Sequence, residues 1–303
     1  MTSTRRTELL GGALILLASV QFGVVVVLGK LSARSGISVF AMLAIRFAIA
    51  AAALALALTA IRQRLVAARG ERGWLVVLGV VGYAVEASLF FAALRHGQAA
   101  AVTLLFFTYP VFVAVASILL GRGAPGVRLA VALVSAVGGA AIVIAFSGRI
   151  TISRIGVAFA IGSALSFTAY LLVLDHVVRR TGSLVTSLWV AASAAAALAV
   201  YAASTSASWT TAGARTWAEL AGMGLATAGA FVCLFLGLRR LGPVRTSIVA
   251  AAEPLATTIL AFVILQERIR WATAVGGGLI LAGAVTATLS GPEPSPEPEP
   301  PTP

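Results

Sequence analysis

An apolar band about twenty residues wide, the length a helix needs to cross a bilayer, recurs ten times between Leu9 and Leu289. The bands fall at 9–31, 39–61, 74–94, 99–120, 129–146, 155–174, 184–203, 218–238, 247–265 and 271–289. Hydrophobic residues make up 60% of the 303 and charged residues only 11%, so the chain lacks the polar surface to cover a soluble globule. In lipid a backbone must satisfy its own hydrogen bonds, which leaves helices or a closed barrel. The runs are continuous and show no alternation, which excludes the barrel. The expected fold is an all-α polytopic membrane protein with ten transmembrane helices.

The formal net charge of +12 would suggest nucleic acid in a soluble protein. Here the arginines stand in the short gaps between bands, where the positive-inside rule places them, and no nucleic-acid partner is expected. With the N-terminus inside, thirteen arginines fall in cytoplasmic segments, among them Arg5, Arg6, Arg69, Arg122, Arg239 and Arg245. Eight Lys and Arg fall outside, including Lys30, Arg95 and Arg270, and Arg46 is left within a helix. Both termini are therefore expected in the cytoplasm. Arg5 and Arg6 before an apolar run resemble a signal peptide, but the run continues to about Leu31, too long for one, so it reads as the first spanning helix. Lys30 is the only lysine and alanine is abundant, a bias that fits a bacterial chain in the cytoplasmic (inner) membrane. Cys233 is the only cysteine, so no intrachain disulfide, Cys-based metal site or cofactor is expected.

An internal repeat divides the chain. Leu94-Arg95 recurs as Leu238-Arg239, Pro110 as Pro254 and Gly139 as Gly283, all at an offset of 144. In both halves an apolar helix ends in Leu-Arg, a tight loop follows, and the next helix carries a proline within its span. Two five-helix halves, 1–150 and 151–290, follow from this, and the odd number per half makes them inverted in the membrane. Inverted repeats are a recurring construction of secondary transporters, with the site between the halves near the midplane. Residues 291–303 alternate proline with glutamate and read as a disordered tail.

These punctuations resemble the EamA family of the drug/metabolite transporter superfamily over both halves. The best match runs from Ala252-Glu253-Pro254 through an apolar stretch to Glu267-Arg268, followed by a last helix rich in small residues, Gly276-Gly277-Gly278 with Gly283. The first half offers Tyr109-Pro110-Val111 but ends in Gly121-Arg122-Gly123, without the exit glutamate. Arg46, in Ile45-Arg46-Phe47, matches a family habit of an arginine early in the second helix. The resemblance implies a ten-helix secondary transporter, often a metabolite exporter, with a small-molecule substrate.

Ionisable groups at mid-bilayer cost about 2.5–3.5 kcal/mol on insertion scales, so each is a functional candidate. Three lie inside the bands: Arg46, Glu86 and Glu253. On a regular helix Glu86 shares a face with Gly79, Gly82, Tyr83 and Phe90. It reads either as a cavity carboxyl that binds a cationic group or exchanges a proton, or as a buried acid bonded to a neighbouring helix or paired with Arg46. Glu253 precedes Pro254, whose missing N–H frees a backbone carbonyl one turn back. That reads either as broken-helix polarity of the kind transporters use for ions, or as a structural kink. Tyr109 stands where Glu253 would be in the first half, beside the structural prolines Pro110 and Pro254. Tyr170 shares a face with Ser163 and Ser166, and Trp189 with Thr186 and Ser193; these, like Gln21, read as lining residues or as packing glue. Arg46 reads as structural, buried or snorkelling to the interface. Glu267 reads as an interfacial ion pair.

No Gly-Lys-Ser or Gly-Lys-Thr phosphate loop occurs. An intramembrane enzyme is disfavoured, since Asp175 is the only aspartate and His96 and His176 fall at helix ends. A non-transporting scaffold would not need charges at mid-bilayer. The expected function is a secondary transporter, with export of a small metabolite or amphipathic compound and proton coupling through either acid. Topology is testable by single-cysteine labelling in a Cys233→Ala background. A cysteine placed after Gly291 should stay unreactive to an impermeant reagent in intact cells, and labelling there would reverse the orientation.

Overall fold

Because every backbone group within lipid must find a partner in the protein, the apolar bands form ten long helices. The computed structural model describes residues 3–122, 124–146, 151–178, 181–205, 209, 213–266 and 270–290. The Pro/Glu tail and Glu267-Arg268 lie outside the described residues. The helices are α1 (Ser3–Ser32), α2 (Val39–Ala60), α3 (Arg72–His96), α4 (Ala99–Phe106 and Tyr109–Leu119), α5 (Val127–Ala145), α6 (Arg154–Val178), α7 (Ser183–Ser204), α8 (Gly213–Leu241), α9 (Pro243–Ala250 and Glu253–Leu265) and α10 (Trp271–Leu289). No strand occurs among the described residues; a single bridge pairs Gly97 with Ile152.

Three helices depart from the regular spans that apolar composition suggests. α4 is interrupted at Phe107-Thr108 and α9 at Ala251-Ala252, positions 144 apart in sequence. In each case a proline follows at the start of the second half-helix, where its missing N–H costs no hydrogen bond. The third departure is a π-helical stretch, Leu78–Val85, inside α3, a feature found frequently at functional sites. It ends immediately before Glu86.

The packing follows a two-fold relation between the halves. α2 packs on α7, α4 on α9 and α5 on α10, each helix against its own counterpart, while α1 packs on α8 and α6 on α3 as images of one another. The α5–α10 contact carries the relation residue by residue. The Ser135 hydroxyl donates to the Leu279 carbonyl at 2.8 Å, across 144 positions. A Cβ on Gly139 would fall 2.5 Å from the Gly276 carbonyl oxygen, and a Cβ on Gly276 would fall 2.5 Å from that of Gly139. The image of this pair, Ala132 with Gly283, is equally close: a Cβ on Gly283 would sit 2.7 Å from the Ala132 carbonyl. Lipid tails are as apolar as leucine, so helices in a membrane associate through close packing, and small residues permit it. The triple glycine thus serves helix contact: Gly276 meets α5, Gly277 meets Leu255, and Gly278 faces open space.

Gly139→Ala and Gly276→Ala should each force α5 from α10, at a cost of about 1–3 kcal/mol for overpacking. Gly278→Ala should be neutral. Thermal unfolding of the purified variants in detergent checks the contrast.

Candidate functional site

A guanidinium at position 46 begins two turns inside α2, beyond easy reach of the interface. Snorkelling is overturned: Arg46 is only 8% exposed, and its Nε donates to the Thr227 hydroxyl of α8 at 2.7 Å. Its charge lies 4.6 Å above the centre of the Phe47 ring, within the range of a cation–π contact. Tyr83, Glu86 and Glu253 are all within its electrostatic reach. Helices α2, α3 and α9 therefore bring one cation and two acids to the interface between the halves.

Glu86 is buried and accepts a hydrogen bond from the Ser163 hydroxyl of α6 at 3.0 Å. Glycines set its surroundings. A Cβ on Gly82 would fall 2.6 Å from the Tyr170 ring, and one on Gly79 would collide with Ser193 and the Val190 carbonyl of α7. The residues expected on one face with Glu86 have different neighbours. Gly79 turns to α7, Tyr83 to the aromatic centre, and Phe90 packs on Phe91 and Phe106 against Ala93, Val102 and Ala160.

An aromatic path joins the two acids. Phe47, Tyr83 and Phe231 meet one another at 5.1–5.9 Å, Tyr83 meets Tyr170 edge-on at 5.5 Å, and Tyr170 stacks on Phe167 at 5.7 Å. Phe167 then meets Tyr109 at 4.8 Å. Such offset and T-shaped geometries are the favoured ones for aromatic pairs. The path ends at a cavity of about 20 Å³ that Tyr109, Phe167, Ser19, Thr246, Ala250 and Glu253 help to line, enough for about one water. The Tyr170 and Thr246 hydroxyls are buried with no hydrogen-bond partner.

The structure thus gathers Arg46, Tyr83, Glu86, Tyr109, Tyr170 and Glu253 from the sequence candidates. Phe90 reaches them only through Phe106, which touches Tyr109 and Phe167. Trp189 goes elsewhere: its indole N–H donates to the Leu65 carbonyl, in the α2–α3 connection, at 2.9 Å. Thr227, Ser19, Phe167 and Phe231 are residues that the sequence alone does not single out. The repeat could have found two of them, since Thr227 is the counterpart of Tyr83 and Ser19 that of Ser163 at the offset of 144.

The end of the bundle that carries the N-terminus is tied by charge across the halves. Glu8 of α1 pairs with Arg245 of α9 at 3.2 Å, both nearly buried, and Arg122 after α4 pairs with Asp175 of α6 at 3.1 Å. Thr181 also donates to Glu71 there. The counterparts of the two ion pairs, Ile152 with Ala101 and Gln266 with Leu31, carry no charge. At the opposite end the halves are joined by hydrogen bonds, from Gln98 N–H to the Thr151 carbonyl and from Ser153 N–H to the His96 carbonyl, both 2.9 Å, from the Ser32 hydroxyl to Glu219 at 3.3 Å and from the Arg270 guanidinium to the Phe146 carbonyl at 2.9 Å.

A ten-helix inverted repeat with a charged, aromatic centre at its interface has the architecture of a membrane transporter. The chain belongs to the EamA-like transporter family, which matches it at residues 9–145 and again at 154–289. That places it in the drug/metabolite transporter superfamily as a multi-pass membrane protein. A crystal structure of another protein superposes with a TM-score of 0.80 at 21% sequence identity, over 94% of this chain and 99% of that one, a likeness of fold alone. No curated protein matches the chain significantly.

The ion pairs are testable as closures of the N-terminal end. Arg122→Gln or Asp175→Asn should open it more often, raising the labelling rate of a cysteine placed just inside that end; a bias of about 1.4 kcal/mol would give a tenfold increase. The uncharged swap Gln266→Leu at the equivalent place should change nothing.

Proposed function

We propose that the protein is a secondary transporter that exports a small metabolite or amphipathic compound across a bacterial inner membrane by alternating access. Both termini lie in the cytoplasm in this reading, and the substrate binds at the interface of the halves. One observation carries it: Arg46, Glu86 and Glu253, from three helices, meet in one centre with an aromatic wall, the first two buried and Glu253 half-buried. Charges are costly at mid-bilayer and gather where they meet one another or a substrate. Glu86 and Glu253 supply polar contacts, and Tyr83, Tyr109 and Tyr170 supply flat apolar surface with a hydroxyl tip. Phe90 backs this wall through Phe106, and Trp189 lies outside it. The same two acids offer a place for proton movement to be linked to substrate movement.

Alternating access in an inverted repeat exchanges two states that are near-images of one another. Their relative energy is then set by residues that break the symmetry. The two ion pairs at the N-terminal end do so, and they favour the state closed to the cytoplasm.

Counterflow in proteoliposomes tests the reading, with the substrate first found by a metabolite-efflux screen. Glutamine keeps the shape of glutamate and removes its charge. Glu86→Gln and Glu253→Gln should insert normally and weaken substrate binding by about 1.5–3 kcal/mol, roughly ten- to hundredfold. If both inserted variants keep wild-type binding and counterflow, neither carboxyl belongs to the site.

A further inference from the structure

The interruption of α9 gathers oxygen atoms that the protein itself leaves without partners. Glu253, half-buried at the break, makes no hydrogen bond among the described residues, and the fully buried Thr246 hydroxyl has none either. Residue 254 is proline, so the Ala250 carbonyl lacks the N–H that a continuous helix would offer it. All three residues line the one-water cavity, together with Ser19 and Tyr109. Ser19 donates its own hydrogen to the Ile15 carbonyl, which leaves its oxygen free to accept. Buried polar groups are nearly always satisfied, and here the Thr246 hydroxyl and the Ala250 carbonyl lack partners beside one small cavity.

Charge decides which ligand. Two carboxyls, Glu86 and Glu253, face one guanidinium, Arg46, in the same centre, so with both carboxyls ionised one negative charge has no match. Glu86 already receives the Ser163 hydroxyl; Glu253 has no such donor. A water in the cavity would satisfy the hydroxyl and the carbonyl but leave that charge unmatched, and an isolated charge in low dielectric is costly. The ligand set is all oxygen, which suits a hard cation. The C-terminal end of the half-helix Pro243–Ala250 presents the negative end of its dipole to the same break. Unwound carbonyls and half-helix C-termini are a recurring way for membrane transporters to hold ions.

We propose that the α9 break binds one sodium ion, held by the Glu253 carboxylate, the Thr246 hydroxyl and the Ala250 carbonyl, with the Ser19 and Tyr109 oxygens completing the shell. The site is unique to the second half. The equivalent break in α4 has Tyr109 in place of Glu253 and Val102 in place of Thr246, and so has neither the charge nor the hydroxyl. Binding does not depend on the protein being a transporter. Only a role for the ion in driving flux rests on that reading.

The test uses the full-length protein in detergent, with sodium exchanged for choline at constant ionic strength. Saturable binding of radiolabelled sodium, accompanied by a rise in unfolding temperature, is expected, with potassium less effective. Glu253→Gln and the near-isosteric Thr246→Val should each weaken sodium binding about tenfold or more, and Thr246→Val should otherwise unfold like the wild type. The proposal is overturned if cooperatively folding wild-type protein shows no saturable sodium binding, or if both variants bind as it does. It is equally overturned if pH alone, and not sodium, shifts the unfolding temperature through Glu253, which would make that carboxyl a proton carrier. Sodium binding with no counterflow of any substrate would leave the site standing and remove the transport reading.

Discussion

The guanidinium of Arg46 is buried, and the rest of the centre is arranged around meeting its demand for partners. Its Nε goes to Thr227 at 2.7 Å, its face covers Phe47, and its field reaches Tyr83, Glu86 and Glu253. Each of these contacts crosses from one helix to another, except the ring beside it in sequence. Removing one member of such a cluster leaves the others buried without compensation, which is why charges of this kind are costly to break. Glu86 is held in turn by Ser163, and the π stretch of α3 ends just before it. The charge fixes the aromatic wall, the wall spans the two halves, and the cavity lies at its far end.

Backbone symmetry and side-chain asymmetry do different work in this molecule. The two-fold relation is strict where helices touch closely, as in the reciprocal approach of Gly139 and Gly276 and in the bond from Ser135 to Leu279. It is also kept in the paired breaks of α4 and α9. The charged residues ignore it. Val190 stands at the counterpart of Arg46, Ala230 at that of Glu86 and Tyr109 at that of Glu253. A symmetric frame lets two access states have similar packing energies; asymmetric chemistry then provides one polar centre and, through Glu8–Arg245 and Arg122–Asp175, a preference between the ends.

The sequence by itself determined the class of fold, the number of helices, the repeat and the three charges that define the centre. The reason is that lipid imposes local rules: a span must be apolar over a fixed length, its backbone must bond within itself, and an ionisable group inside it stands out against that background. The prolines at the offset of 144 marked both interruptions for the same local reason. What only the tertiary structure decided was which residues meet. Glu86 and Phe90 lie one turn apart on a regular helical segment, but Glu86 goes to Ser163 while Phe90 packs on Phe91 and Phe106. Trp189 shows the same limit, since its partner is a carbonyl 124 residues away. Arg46 could be read from sequence as buried or as snorkelling, and the choice was made by Thr227, 181 positions distant. Contacts between spans depend on rotation and tilt about each helix axis, which close packing sets and which apolar periodicity, uniform around such helices, does not encode.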